Sequence, residues 1–312
     1  MKKKVILGFA IILILGIEVF LRLYFGFCDA VLMKEDPDFE YIAQPNQKRF
    51  RFRNHIIYNS LSMRSEEVDN SSIKILGFGD SVINGGVLTD QDSLATKILS
   101  DSLSKFYGRK VQFLNISAGS WGPDNCYAYL KKFGNYGAKS IFLIVSSHDA
   151  YDNMNFEKIV DNHESFPSKQ YSLALYELID RYLLPKIKSK LKDNHTETDD
   201  LGINKKKDNS TFNSGFESFV TYSKNKGIAL TIYLHADKNE LKSGAYNSQG
   251  QEIIRFAIEN SIPIILDLQN GLEISDFRDN IHLNNKGQKK LANIILKYIL
   301  EQTLASDSVY KK

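Results

Sequence analysis

The sequence feature that most constrains the fold is a short apolar run without polar alternation, Ile141-Phe142-Leu143-Ile144-Val145. Strands that are covered on both faces have this pattern, and such strands belong to parallel sheets. Comparable short runs predict four further strands, at residues 74–78, 111–116, 228–234 and 262–266. Five strands of this kind indicate an α/β domain.

Helical segments separate these strands. The sequence predicts helices over residues 89–108 and 125–133, the second ended by Gly134, and a closing amphipathic helix over 284–301. Alternating strands and helices predict a three-layer αβα sandwich with a flavodoxin-like, parallel five-stranded sheet. Active sites in such folds lie beyond the carboxyl ends of the strands.

The N-terminal segment is apolar over a length that fits a membrane. Three lysines, residues 2–4, precede the apolar residues 5–27, and a helical span needs roughly 20 residues. Lysines at this end predict that the N-terminus stays in the cytoplasm and that the rest of the chain is extracytoplasmic. Glu18 and Arg22 interrupt the run four residues apart, so on a helix they share a face and can pair, or they lie at the outer interface.

A cleaved signal peptide is the alternative, with residues 5–17 as its apolar core and a cleavage site near Cys28-Asp29-Ala30. The apolar character continues well past residue 17, which favours an uncleaved anchor at residues 1–27. Bulky Phe27 disfavours a lipid anchor on Cys28. Each of these alternatives places most of the chain outside the cytoplasm.

The bulk composition limits the classes of function. The 312 residues are 43% hydrophobic and 25% charged, as in ordinary globular proteins, and the net charge of +3 does not indicate nucleic-acid binding. The two cysteines, Cys28 and Cys126, lie far apart, and their spacing fits neither a disulfide framework nor a metal-binding motif. We expect free thiols and no cofactor.

The chain divides into an anchor, an extension, a main domain and a tail. Residues 28–72 follow the anchor as a juxtamembrane extension, and the β-rich residues on either side of Arg53-Asn54 predict a hairpin within it. The main domain is expected over residues 73–304. Residues 305–312 form the tail.

An insertion at residues 155–213 interrupts the main domain. It contains a predicted helix over 172–184, followed by a lysine-rich polar tract with a loop at 195–200. Two interpretations stay open for this insertion, a lid near the site and a solvated surface loop without a role.

The first predicted strand ends in Gly79-Asp80-Ser81. A serine at the edge of a sheet and before a helix can act as a nucleophile, because the N–H groups of a helix N-terminus favour negative charge. The alternative is that Ser81 only caps the helix, as serines before helices commonly do.

A second motif, Asp279-Asn280-Ile281-His282, precedes the closing helix. An aspartate three residues before a histidine can accept Nδ1–H and leave Nε2 facing out as a base. Together with Ser81, these residues form a complete set of nucleophile, orienting carboxylate and base. The alternative is that Asp279 caps the helix and His282 only packs.

The two motifs together resemble the SGNH hydrolase superfamily, also called GDSL esterases and lipases. The resemblance extends over about residues 73–304, and two of the four family motifs, the first and the last, are clear. It implies a serine esterase in which Ser81 is the nucleophile and Asp279 and His282 complete the triad. The N-terminal helix would make the chain a membrane-anchored, bacterial-type member.

The other two family motifs imply an oxyanion hole, to which the N–H of Ser81 also contributes. In the second motif, either Gly119 or Ser120 stands for the glycine whose N–H faces the oxyanion. In the third motif, His148 stands where the family has asparagine, and an imidazole N–H can also donate to an oxyanion. Asn153 is a further candidate donor, and a purely structural role for His148 is the alternative.

Three residues of this third stretch also raise the question of a metal site. His148, Asp149 and Asp152 carry the right ligand atoms, but their spacing is loose and no fourth ligand is evident. We therefore expect no metal.

The resemblance implies an ester substrate, and anchored relatives of this kind suggest a surface glycan. By that analogy, we expect an O-acetyl or other short acyl ester on an exported polysaccharide. Two alternatives remain, an O-acyltransferase with the same triad and a non-catalytic, anchored glycan-binding or assembly protein. Four aromatic residues either stack on sugar rings or belong to the core: Trp121, Tyr127, Tyr129 and Tyr151.

Overall fold

The N-terminal apolar run forms one long helix. The computed structural model describes residues 2–191 and 211–309. Helix α1 (Lys2–Phe25) has 24 residues and, at 1.5 Å per residue, is about 36 Å long. It is long and apolar enough to cross a membrane, a test that a signal sequence also passes. The predicted pairing within α1 is confirmed, because Nε of Arg22 lies 2.7 Å from Oε1 of Glu18.

The extension after α1 consists of two antiparallel β-hairpins. Strand β1 (Met33–Asp36) pairs with β2 (Glu40–Ala43), and β3 (Gln47–Arg51) pairs with β4 (Asn54–Tyr58). The second hairpin lies where the sequence predicted it. The first was missed, because its strands are only four residues long and lie in a polar stretch. Both hairpins place apolar side chains in the main core.

The main domain contains one parallel sheet, which confirms the predicted α/β class. Its strands are β5 (Ile73–Gly79), β6 (Val111–Ser117), β7 (Ser140–Ser146), β8 (Ala229–His235) and β9 (Ile264–Leu266). The spatial order is β6-β5-β7-β8-β9, with every neighbouring pair parallel. This is the flavodoxin-like order, and its switch point lies beside β5.

Helices cover both faces of the sheet and complete the three predicted layers. The helices after α1 are α2 (Ser81–Asn84), α3 (Ala95–Tyr107), α4 (Pro123–Phe133), α5 (Ala174–Glu177), α6 (Leu184–Leu191), α7 (Gly215–Lys226), α8 (Lys238–Ser243), α9 (Ser248–Glu259) and α10 (Asn285–Val309). Along β7, Ile141 and Leu143 enter the core that α4, α7 and α9 cover. Phe142 and Ile144 enter the core that α3 and α10 cover.

The insertion forms a longer helix than the sequence predicted. A π-helical segment, Leu178–Leu183, joins α5 to α6, so the chain is helical over residues 174–191. We call residues 174–191 the insertion helix. It passes through Pro185, where we expected it to end, and Pro185 lies at the junction where the π-helical segment gives way to α6. The predicted loop at 195–200 lies outside the described residues.

Two of the aromatic residues considered as sugar-stacking platforms are core residues. Trp121 is 1% exposed, and its Nε1 donates to the carbonyl of Tyr41 at 2.9 Å. Tyr129 is completely buried. A stacking role is therefore wrong for Trp121 and Tyr129, because a sugar ring cannot reach them. Tyr127 and Tyr151 are only partly buried.

Candidate active site

Ser81 lies at the carboxyl end of the first sheet strand, where β5 gives way to α2. A Cβ on Gly79 would come within 2.4 Å of the carbonyl oxygen of Ile144, so glycine is required where β5 approaches β7. Asp80 caps α2, since its Oδ1 accepts the N–H of Val82 at 2.9 Å. The interpretation that Ser81 is the cap is therefore wrong, and the cap leaves the hydroxyl of Ser81 available.

A buried amide fixes α2 against the neighbouring strand. Nδ2 of Asn84 lies 3.2 Å from the carbonyl oxygen and 3.1 Å from Oγ of Ser117, the last residue of β6. Gly85 then ends α2 in the left-handed conformation, with φ of +74°, which favours glycine. The turn that carries Ser81 is thus held at both ends.

The structure pairs Asp279 with His282. Nδ1 of His282 lies 2.9 Å from Oδ2 of Asp279, and Oδ1 accepts the backbone N–H of His282 at 2.6 Å. Partial burial acts to raise the pKa of Asp279, but the hydrogen bonds and charge of His282 outweigh it and lower that pKa to about 2. Nε2 of His282 is buried and has no hydrogen-bond partner among the described residues. Asp279 therefore holds Nδ1, and Nε2 is available to accept a proton, as a base requires.

A short closed loop carries this pair. Phe277 and Leu283 form an antiparallel bridge at its base, and the N–H of Arg278 donates to the carbonyl of His282 at 2.9 Å. Nη1 of Arg278 donates to the carbonyl of Gly85, just after α2, at 3.0 Å. Arg278 thus ties the histidine loop to the serine turn, a contact that the sequence motif did not reveal.

A second aspartate–histidine pair supports the same loop from the sheet. Nδ1 of His235 lies 2.6 Å from Oδ2 of Asp267, and its Nε2 lies 2.8 Å from the carbonyl oxygen of Ile281, the neighbour of His282. A carbonyl oxygen only accepts hydrogen bonds, so Nε2 donates to it, while the carboxylate accepts from Nδ1. Burial acts to lower the pKa of His235, but the Asp267 carboxylate raises it by more and favours the protonated ring.

Sequence reasoning missed this second pair. His235 ends β8 and Asp267 directly follows β9, and these two strands are parallel neighbours. The carboxyl ends of such strands meet at one edge of the sheet, which is the rule that located Ser81. The same rule applied to β8 and β9 would have found His235 and Asp267.

Ser81 and His282 line one cavity of about 270 Å³. Gly119 lines it too, and its carbonyl accepts the hydroxyl of Tyr41 at 2.7 Å. The extension and the insertion supply much of the remaining wall, so both are parts of the candidate site. Their lining residues include Met33, Phe52, Tyr58, Phe166, Arg181 and Tyr182.

A buried ion pair joins the extension to the insertion helix beside this cavity. Nη2 of Arg51 lies 2.5 Å from Oε1 of Glu177, and the two side chains are 2% and 0% exposed. The hydroxyl of Tyr182 accepts a further bond from Arg51 at 2.7 Å, and the N–H of Cys28 donates to Glu177 at 2.5 Å. Four polar partners satisfy each other here, which buried charges require.

Three of the predicted oxyanion residues are not among the described residues that line this cavity: Ser120, His148 and Asn153. Nε2 of His148 lies 3.8 Å from Oδ2 of Asp80 and 3.7 Å from Oδ1 of Asp149, beside the serine turn. Asn153 donates its amide to the carbonyl of Thr211 at 2.8 Å. Ser120 is buried with φ of +58°.

Asp80, His148 and Asp149 form a compact cluster whose ligand atoms lie within 4.8 Å of one another. Burial, followed by the charge of Asp149, raises the pKa of Asp80. Two carboxylates and an imidazole are ligands that a divalent ion can bind. The sequence suggested Asp152 as one of the carboxylates, but in the structure Asp80 takes that place. Nothing else among the described residues points to an ion here, so we assign none.

Comparison with known proteins finds distant structural likenesses. No family model and no curated protein matches the chain. A two-domain esterase active on acetylated mannans is 11% identical with a TM-score of 0.44, over 74% of this chain and 49% of that one. A lipase/acylhydrolase from Enterococcus faecalis is 12% identical with a TM-score of 0.41, over 74% and 96%. A mutant acetyl-xylooligosaccharide esterase from Geobacillus is 12% identical with a TM-score of 0.42, over 74% and 95%.

The chain thus spans about half of the mannan esterase and nearly all of the other two. The solved structures that resemble the chain also include a lipolytic protein of the G-D-S-L family from Veillonella parvula. At such identities and scores, the likenesses decide nothing about activity or substrate.

Proposed function

We propose that this chain is a serine esterase of the SGNH hydrolase superfamily, with Ser81, His282 and Asp279 as its catalytic triad. One observation carries this proposal. Nδ1 of His282 is held by Asp279, its buried Nε2 has no partner among the described residues, and His282 lines the same cavity as Ser81. A histidine arranged in this way can take the proton of a serine hydroxyl.

The proposed reaction proceeds in two steps through an acyl-enzyme. Nε2 of His282 accepts the proton of Ser81 as Oγ bonds to the ester carbonyl carbon. The tetrahedral intermediate collapses, its C–O bond to the alcohol breaks, and His282 returns the proton to the leaving oxygen. Water then attacks the acyl-enzyme with the same nitrogen as base, which releases the carboxylic acid and restores Ser81. Asp279 holds the imidazole tautomer throughout.

For the oxyanion, we favour the backbone N–H groups of Ser81 and Gly119, because both residues line the cavity. Ser120, which does not line it, is the weaker choice in this loop. His148 lies against the carboxylate of Asp80, the residue that precedes Ser81. Because His148 does not line the cavity either, we propose it as a third and weaker donor, from the other side of the turn.

The proposed substrate is a short acyl ester, of which an O-acetyl group on a surface glycan is the leading candidate. Apolar side chains form much of the cavity wall, which suits an acyl group better than a polar sugar ring. They include Met33, Val87, Leu88 and Phe166. The sugar would therefore lie outside the cavity, with only its acyl group inserted.

We also propose that α1 is an uncleaved anchor, with the domain over residues 73–304 outside the cytoplasm. The support is that the last turns of α1 pack on the rest of the chain. Leu21 is buried, and Nη2 of Arg22 donates to the carbonyl of Ser172 at 2.6 Å. Cleavage near Cys28 would remove these contacts and expose the ion pair that Glu177 makes.

The esterase proposal is tested by turnover of p-nitrophenyl acetate by the full chain in detergent. Ser81→Ala is the control, since it removes only the attacking oxygen. We expect the variant to lose nearly all activity above the background rate. Equal rates for both proteins would contradict the proposal and favour a non-catalytic binding protein. Adding a glycan acceptor and following acyl transfer to it would then separate a transferase from a hydrolase.

A further inference from the structure

The insertion helix has two different faces. One face packs against the extension and lines the cavity through Arg181 and Tyr182. The opposite face, together with the residue directly before the helix, carries five large apolar side chains that are 45–57% exposed. They recur every three or four residues and form one stripe. We call it the apolar stripe: Leu173, Tyr176, Ile179, Leu183 and Ile187.

Contacts to α1 fix where this stripe lies. The carboxylate of Glu18 accepts the N–H groups of Ala174 and Leu175 at 2.8 and 2.9 Å. Arg22 bonds the carbonyl of Ser172, as described above. The insertion helix therefore starts beside residue 18 of α1, seven residues before the helix ends at Phe25. Seven residues correspond to about 10 Å along the helix axis.

We propose that the apolar stripe lies in the outer interface of the membrane that α1 spans. This inference rests on the proposed anchor. Amphipathic helices bury their apolar faces about 5–10 Å into the boundary between headgroups and acyl chains, which matches the start of the insertion helix. Tyr24 and Tyr176 are 43% and 56% exposed, at the level where aromatic residues collect. The two charges in the span are compensated, because Glu18 and Arg22 pair with each other and with backbone groups.

This placement holds the candidate active site next to the membrane surface. Arg181 and Tyr182 share the insertion helix with the apolar stripe and line the cavity of Ser81. The helix is only about 10 Å across, so this wall of the cavity lies directly above the headgroups. Esters presented at the membrane surface are therefore closer to Ser81 than esters in bulk solution.

Depth measurements on spin-labelled full chain test the proposal. The protein would be reconstituted in vesicles of phosphatidylcholine and phosphatidylglycerol, with Cys28→Ser in every variant and Cys126 left buried. Labels are introduced by Ile179→Cys and Ile187→Cys in the stripe, with Ile258→Cys as the control. Ile258 is an isoleucine on α9 that is 69% exposed, somewhat more than the two isoleucines of the stripe. Leu13→Cys reports on the span itself.

We expect labels at 179 and 187 to collide with oxygen several-fold more often, relative to a water-soluble nickel chelate, than the label at 258. The label at 13 should be deeper still. If 179 and 187 match 258 while 13 is deep, the stripe proposal fails and the anchor stands. If 13 is also exposed to nickel, both fail. Shielding that disappears when the vesicles are diluted with lipid would show a second copy of the chain on the stripe, which also overturns the proposal. None of these readouts requires that the protein hydrolyse an ester.

Discussion

The molecule contains two aspartate–histidine pairs that support the same loop, and their surroundings differ. In the pair of Asp279 and His282, the carboxylate is about one-third exposed, and Nε2 has no partner among the described residues. In the pair of Asp267 and His235, both side chains are 0% exposed, and Nε2 donates to the carbonyl of Ile281.

The difference shows how surroundings divide roles between identical side chains. A histidine with one nitrogen held and one available can exchange a proton, so the first pair suits the role of base that we propose for it. A histidine with both nitrogens donating keeps its proton and acts as a fixed cation. Asp267 accepts from Ala236 and Tyr246 as well, at 2.9 and 3.1 Å, so the second pair is built as a rigid support.

The first test of this comparison removes the proposed base. We expect His282→Gln to lower kcat for p-nitrophenyl acetate by about 10⁵-fold or more, close to the loss in Ser81→Ala, because the two residues act as one unit. Steady-state kinetics of both single variants and the double variant would measure this. Losses that multiply in the double variant would contradict a shared step.

The second test replaces the orienting carboxylate with an amide of nearly the same shape. We expect Asp279→Asn to lower kcat by about 10⁴-fold, since an amide favours the wrong tautomer of His282. KM should change little, because Asp279 does not line the cavity. A variant with nearly normal kcat would contradict the role of Asp279 in orienting the ring.

The third test weakens the support pair. We expect His235→Gln to lower the free energy of unfolding by about 3 kcal/mol, because it leaves a buried carboxylate without its charged partner. As a positioning residue, His235 should also affect kcat, by about 10-fold, through the carbonyl of Ile281. Leu130→Ala is the matched control, a buried core change on α4 in a hydrophobic cluster that contains no residue of the loop at 277–283. Equal kcat in the two variants would reduce His235 to a packing role.

The smallest effect concerns pH. The folded pKa of His235 lies above its ordinary value of 6.5, so the pair adds stability below about pH 6.5 and loses it as pH rises through the folded pKa. Urea unfolding of the wild type and His235→Gln in detergent would measure this difference. We expect the gap in free energy of unfolding to shrink between pH 6 and pH 9. A gap that widens with pH would mean that the pair is neutral when folded.

The central sheet could be predicted from the sequence, and so could the positions of the two motifs that we propose to be catalytic. Apolar runs such as Ile141–Val145 specify buried parallel strands, and the carboxyl-edge rule places Ser81. The helix α7 was not predicted, because its segment is rich in aromatic, serine and threonine residues with modest helix propensity. Burial of Phe216 and Phe219 against the sheet stabilises it instead.

The walls of the candidate site could not be predicted. Arg51 meets Glu177 across 126 residues, and Arg278 meets Gly85 across 193. No local pattern encodes such contacts, since they depend on how the extension and the insertion fold over the sheet. The N-cap at Asp80, in contrast, could have been predicted. An aspartate before a helix is as good a capping residue as the serine at position 81.

The most direct test of the central claim is covalent labelling of the full chain with a fluorophosphonate. Such a reagent phosphonylates a serine that an adjacent base activates, and peptide mass spectrometry locates the adduct. We predict one adduct, on Ser81, that is absent in Ser81→Ala and strongly slowed in His282→Gln. An unlabelled folded protein, or an adduct on another serine, would contradict the assignment of Ser81 as the nucleophile.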